Sequence, residues 1–226
     1  MGKNYSQEIF EYVKNFDLNE YNGFTEQDVD NFVSGIDIHR VPEFDYESGA
    51  TKLVIIPENR DYVIKIPFSG IFEWGDEGDL TEYTPFYGAE DDGWGDDYCR
   101  AEEMFYEMAE KAGYEEFFMP IYYEGTMKGH SIYTQEKVDL FVSHCSIAEQ
   151  EKYSSKESKQ KVKDKNYPLP KLWLASCLTA FGEDEEKLNN FLDFLEKTGM
   201  NNDLHSGNLG FFKGRPVIID YGGFHD

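Results

Sequence analysis

"NNDLHSGNLGFFKGRPVIIDYGG", residues 201–223, gathers two aspartates, three asparagines and a Gly-Gly pair into one short stretch. Asp203 and Asn208 lie five apart in a glycine-containing loop. "LGFF", the turn at Lys213-Gly214 and "RPVII" then read as a hairpin, with Asp220 at the end of the apolar run Val217-Ile218-Ile219. A carboxylate placed after such a strand is costly to bury unless a cation pairs with it. Mg²⁺ suits this spacing, because it takes a few protein oxygens and completes its shell with phosphate and water. An Asp and an Asn at facing ends of one hairpin can hold such an ion, leaving Asp203 to orient or deprotonate a hydroxyl.

Composition bounds the partners. The 226 residues carry a net charge of -24, which disfavours nucleic acid and anionic lipid and welcomes basic proteins or polycationic small molecules. No apolar run reaches the ~20 residues that cross a bilayer. Cys99, Cys145 and Cys177 are far apart and form no CxxC, the pattern of free thiols in a reducing cytoplasm.

Upstream, residues 5–34 read as two short helices, and "KLVIIPENRDYVIKIP" (52–67) as a β-hairpin. Residues 69–97, rich in Gly and acids, read as a long excursion between regular elements; they fail the EF-hand ligand series. "YCRAEEMFYEMAEKAG" (98–113) is an amphipathic helix ending at Gly113, and two strands follow. The lysine-rich stretch 144–166 reads as a solvated helix followed by a loop, and residues 171–198 as one or two helices. The order implies an α+β chain with two lobes.

"NDLHSGN…VIIDYGG" resembles the catalytic loop and metal-binding DFG element of the protein-kinase-like superfamily. The nearer likeness is to its small-molecule branch, that of the aminoglycoside phosphotransferases, where an Asp-x-His-x-x-Asn loop is usual. By position, the resemblance makes Asp203 the catalytic aspartate and Asn208 and Asp220 the metal ligands. It also implies a lysine on the third strand of the first lobe. "YVIKIP" supplies Lys65, a charge among Val63, Ile64 and Ile66 that calls for a partner.

The family pairs that lysine with a glutamate on the next helix, and Glu102 competes with Glu103. At ~100° per residue, Glu102 sits roughly 60° from the centre of the stripe Tyr98, Ala101, Phe105, Met108, Ala109, Ala112, and Glu103 roughly 160°. Glu102 is the expected partner. "ESGATK" has only Gly49 where the family has several glycines, so this turn either covers phosphates with its amides or is a plain hairpin turn. "IYTQEKVD" stands where the lobes join. There the resemblance places adenine against the Glu136 carbonyl and the Val138 N–H. His205 is expected to hold the loop rather than act as a base.

The resemblance therefore implies a protein-kinase-like two-lobed fold: a helical extension over 1–35, an antiparallel-sheet N-lobe over 36–138 with the acidic insertion 69–97, and a reduced, mostly helical C-lobe over 139–226. Because the sequence stops six residues after Asp220, the expected form is minimal, without activation segment or peptide-binding helices. The implied function is ATP- and Mg²⁺-dependent phosphotransfer to a small-molecule or protein acceptor, the acidic surface favouring a basic one. The alternative is a non-catalytic nucleotide-binding pseudokinase or scaffold acting through that surface.

Overall fold

A computed structural model describes residues 44–48, 52–58, 60–67, 70–74, 80–85, 98–127, 130–141, 151–167, 169–201 and 204–222. The helices expected over 5–34 lie outside the described residues. The described residues divide into two compact units. One holds those up to Cys99 together with Ile121–Glu136; the other holds Arg100–Pro120 and the residues from Lys137 onward.

The first unit is built on strands β1 (Phe44–Ser48), β2 (Lys52–Pro57), β3 (Tyr62–Pro67), β4 (Gly70–Trp74), β5 (Leu80–Pro85), β6 (Ile121–Met127) and β7 (His130–Glu136). The hairpin read from 52–67 is present, with Val54 opposite Lys65 and Ile55 opposite Ile64. Five strands form an antiparallel sheet in the order β1-β2-β3-β7-β6. Along β3, Tyr62, Ile64 and Ile66 alternate onto one face and are buried, while Val63, Lys65 and Pro67 take the other.

The 69–97 stretch is more regular than an excursion. β4 and β5 pair antiparallel, with Phe72 opposite Tyr83 and Ile71 opposite Thr84. The acids masked a short β-branched and aromatic alternation that favours pairing.

In the second unit, helix α1 (Tyr98–Ala112) stops at Gly113, whose φ of 78° is a left-handed conformation suited to glycine. Its Ala101, Phe105 and Ala109 are buried, but Met108 and Ala112 of the expected stripe are exposed. The buried face is shifted toward Glu102, which a stripe weighted by hydrophobicity alone leaves at its margin. After β8 (Asp139–Leu140), helix α2 (Lys156–Lys163) falls within the stretch read as a solvated helix followed by a loop. It is stabilised by the Ser155 N-cap, whose hydroxyl accepts from the Ser158 N–H, and by burial of Ser158 and Val162.

Residues 171–198 resolve into helices α3 (Lys171–Ala180) and α4 (Glu185–Thr198), broken by left-handed Gly182 and Glu183. Strands β9 (Leu209–Phe212) and β10 (Arg215–Ile218) form the expected hairpin and join β8 in a three-stranded sheet, order β10-β9-β8. Lys213 and Gly214 both have positive φ, as a two-residue hairpin turn of primed type requires.

The core of this unit is aromatic. Phe117 lies 4.6 Å from Phe181 and 4.8 Å from Phe191, ring centre to ring centre, and Phe118 meets Tyr221 edge-on at 5.1 Å. Backbone pairing crosses the unit too: the Met119 N–H donates to the Ile218 carbonyl at 2.9 Å.

Glu183 is a non-glycine residue at a φ of 67°, a conformation that costs of order 1–3 kcal/mol. Its side chain offsets that cost. Ser155 Oγ donates to it at 2.5 Å, Ser158 Oγ donates to its other oxygen, and its carbonyl accepts from Lys161 Nζ at 2.9 Å. Glu183→Ala is therefore expected to lower the unfolding free energy by about 2–3 kcal/mol, since a buried hydroxyl loses a charged acceptor and the backbone strain stays. Urea denaturation measures this. A loss below about 0.5 kcal/mol, the level of an ordinary surface change, means the hydroxyls find other acceptors.

Candidate functional site

The hairpin brings two of the nominated oxygen ligands together. Asn208 closes a 3₁₀ turn (Ser206–Asn208) and leads directly into β9; Asp220 stands two residues after the end of β10. At the open end of the hairpin the Ile219 N–H donates to the Asn208 carbonyl at 3.0 Å, so Asn208 and Asp220 flank one backbone hydrogen bond. Asn208 is 7% exposed, and Asp220 is half-buried. The loop before them is held as expected: His205 Nδ1 accepts from the Gly207 N–H at 3.0 Å. A Cβ at residue 207 would stand 2.8 Å from the imidazole, so a side chain there would displace His205 from this hydrogen bond.

Behind Asp220 the backbone is fixed. Tyr221 is fully buried, and its hydroxyl donates to the Met119 carbonyl at 2.8 Å. Phe118 and Ile218 form a parallel bridge beside it. Asp203 lies outside the described residues, as does Gly49.

In the first unit Lys65 is 4% exposed, on the central strand β3, with Val54 and Tyr133 opposite it on either side. Residues facing one another across a ladder share a face. Lys52, opposite Pro67, therefore lies on the same face as Lys65 and is equally buried. Sequence reading missed Lys52, although applying the period of two across the hairpin would have found it. Cys99 packs with Ile121 and Tyr133 on this face. One helical turn further along α1, Glu102 is fully buried while Glu103 is half-buried. Lys65 and Glu102 fall in different units.

Glu136 ends β7 opposite Tyr62. Burial, and then the charge of Glu136, push the Tyr122 hydroxyl above its ordinary pKa. Val138 precedes β8, whose Asp139 and Leu140 pair with Phe211 and Gly210. A Cβ on Gly210 would stand 2.9 Å from the Asp139 carbonyl and 3.0 Å from the Val138 side chain, so glycine lets β8 close on the hairpin. Val138 thus lies at the turn end of the three-stranded sheet, with Asn208 and Asp220 at its open end. The gap is about four strand residues, roughly 13 Å.

Two hard oxygen donors, an amide and a carboxylate, suit Mg²⁺, which commonly takes one or two protein carboxylates and fills its shell with phosphate oxygens and water. Among the described residues no helix is long and apolar enough to cross a membrane.

No protein-family profile matches the chain, and no curated protein matches it. A solved structure similar to it belongs to an aminoglycoside phosphotransferase of protein-kinase-like fold. It is the streptomycin–ATP–APH(2″)-IIa ternary complex, matched at a TM-score of 0.33 and 14% identity over 88% of this chain and 71% of that one.

Proposed function

We propose that this chain is a kinase-like phosphotransferase, with a sheet-built N-lobe and a mostly helical C-lobe, acting on Mg²⁺-bound ATP. The observation that carries the reading is the juxtaposition of Asn208 and Asp220 at the open end of one hairpin, linked through the Ile219 N–H. In this reading the two residues hold Mg²⁺ against the phosphates, and Asp203 orients the acceptor hydroxyl. Lys65, paired with Glu102, positions the α- and β-phosphates, and the Glu136 carbonyl and Val138 N–H meet the adenine. The Gly49 turn covers the phosphates. Lys65 and Glu102 are each buried, and a charge removed from water needs an opposite partner. Lys52 lies on the sheet face of Lys65 as a second buried cation. The overall charge of -24 favours a cationic acceptor.

Thermal melting with ATP tests the nucleotide site before any acceptor is known. At about a hundredfold excess over the dissociation constant, ATP with Mg²⁺ is expected to add about 2.7 kcal/mol, a rise of roughly 5–10 °C. EDTA removes most of it, and Lys65→Ala weakens the affinity about tenfold or more. No shift at millimolar Mg-ATP refutes the reading. A shift without turnover over broad acceptor pools favours the non-catalytic alternative.

A further inference from the structure

The most acidic of proteins can carry one basic face, and this chain has one. Residues 152–171 hold seven lysines against two acids, Glu157 and Asp164, a local charge of +5 in a chain of -24. The lysines divide by direction. Lys161 and Lys165 are engaged: Lys161 pairs with Glu157 at 2.8 Å and with the Glu183 carbonyl, and Lys165 pairs with Glu185. Those hydrogen bonds raise the Lys161 and Lys165 pKa values and lower that of Glu185.

Lys156, Lys159 and Lys163 instead recur at i, i+3 and i+7, one stripe along α2. Within that stripe Gln160 is the only other residue, so no carboxylate of α2 interrupts it. Lys156 and Lys163 are exposed, and no ion pair engages them among the described residues. Lys159 Nζ binds the Glu151 carbonyl at 2.9 Å, and Lys171 Nζ binds the Lys163 carbonyl; both are neutral oxygens, so both positive charges remain.

The stripe is held firmly. Ser158 and Val162 bury the adjoining flank of α2, and the Ser155 and Ser158 hydroxyls tie the helix to Glu183. The Ser155 N–H also donates to Thr179 Oγ1 at 3.0 Å.

We infer that the Lys156–Lys159–Lys163 stripe is a docking face for a short acidic segment of a partner protein. Size selects the partner. An eight-residue helix spans about 12 Å, the reach of about four extended residues. Charges separated by more than the ~8 Å Debye length at physiological salt scarcely interact, so a short carboxylate cluster on the stripe answers chiefly to the charges of α2 and its neighbours, where Lys161 and Lys165 offset Glu157 and Glu185. A longer polyanion such as nucleic acid runs off the stripe onto acidic surface and meets repulsion. The face is independent of the proposed nucleotide site.

Fluorescence polarisation of a labelled hexaglutamate peptide against the full chain, at about 50 and 200 mM salt, tests this, with six- and twenty-nucleotide deoxythymidine strands as competitors. Saturable binding is expected, weakened at the higher salt. The triple change Lys156→Glu, Lys159→Glu, Lys163→Glu is expected to weaken it at least about tenfold. Lys156→Ala with Lys163→Ala, both at exposed positions, is expected to weaken it about threefold without changing the melting temperature. Absence of saturable peptide binding, affinity unchanged in both variants, or tighter binding of the twenty-nucleotide strand than of the peptide each overturns the assignment.

Discussion

Asp220→Ala is expected to abolish magnesium-dependent transfer from ATP, lowering turnover by at least about a thousandfold, some 4 kcal/mol of transition-state stabilisation. Among the described residues at the open end of the hairpin, Asp220 supplies a carboxylate and Asn208 a neutral amide. In the proposed role, the change takes a charged ligand from Mg²⁺ and weakens the hold on the cation that neutralises developing charge on the phosphates. The fold should persist, because Asp220 is half-buried while the buried anchors on either side, Ile218 and Tyr221, are untouched. Asp203→Asn is the companion change: in the proposed role Asp203 serves the acceptor, so the change should lower turnover comparably but leave nucleotide affinity near wild type. Phosphate release and product mass over pooled acceptors, with the melting temperature as a fold control, check both. Turnover indifferent to both changes would falsify the assigned roles.

Tyr221→Ala should cost about 3–5 kcal/mol of stability, the range for removing a large buried aromatic ring. The ring is fully buried, meets Phe118 edge-on, and carries a hydroxyl that donates to the Met119 carbonyl across 102 residues of sequence. Tyr221→Phe separates the terms. It keeps the ring and removes one buried hydrogen bond, for about 1–2 kcal/mol. Because that bond fixes the residue beside Asp220, the phenylalanine variant should also raise the magnesium concentration needed for half-maximal nucleotide binding. Urea titration gives the stabilities. Equal losses from the two variants mean that the hydroxyl, and not the ring, dominates.

Much of this was legible because local patterns and tertiary demands agree. Val54–Ile56 and Val63–Ile66 are β-branched runs around a turn, and they pair as read. The left-handed Gly113 ends α1 where its sequence predicts. The hairpin was legible because a two-residue turn fixes its register, and that register sets Asn208 opposite Ile219, next to Asp220. What the sequence obscured depends on distant partners. Helix α2 is polar and looks solvated, and the acceptor that seats it, Glu183, lies in a turn 25 residues beyond Ser158. Met108 fits the helical stripe but points to solvent, because burial is decided by what faces the helix and not by its own periodicity. Lys52 looks like an ordinary strand-opening lysine until β3 is laid beside it.

The link between Met119 and the Ile218–Tyr221 strand end also has a consequence for biogenesis. Synthesis runs at about 5–20 residues per second, so roughly 5–20 s separate the appearance of Phe117 and Phe118 from that of the tyrosine that covers them. Over that interval the nascent aromatic surface has no native cover from the hairpin, and a contact of such sequence separation is slow to close. The hairpin that carries the proposed metal ligands is thus also the keystone of its unit. The aromatic core and the proposed metal-ligand end are completed in the same step, which ties the maturation of any activity to the closing of this distant contact.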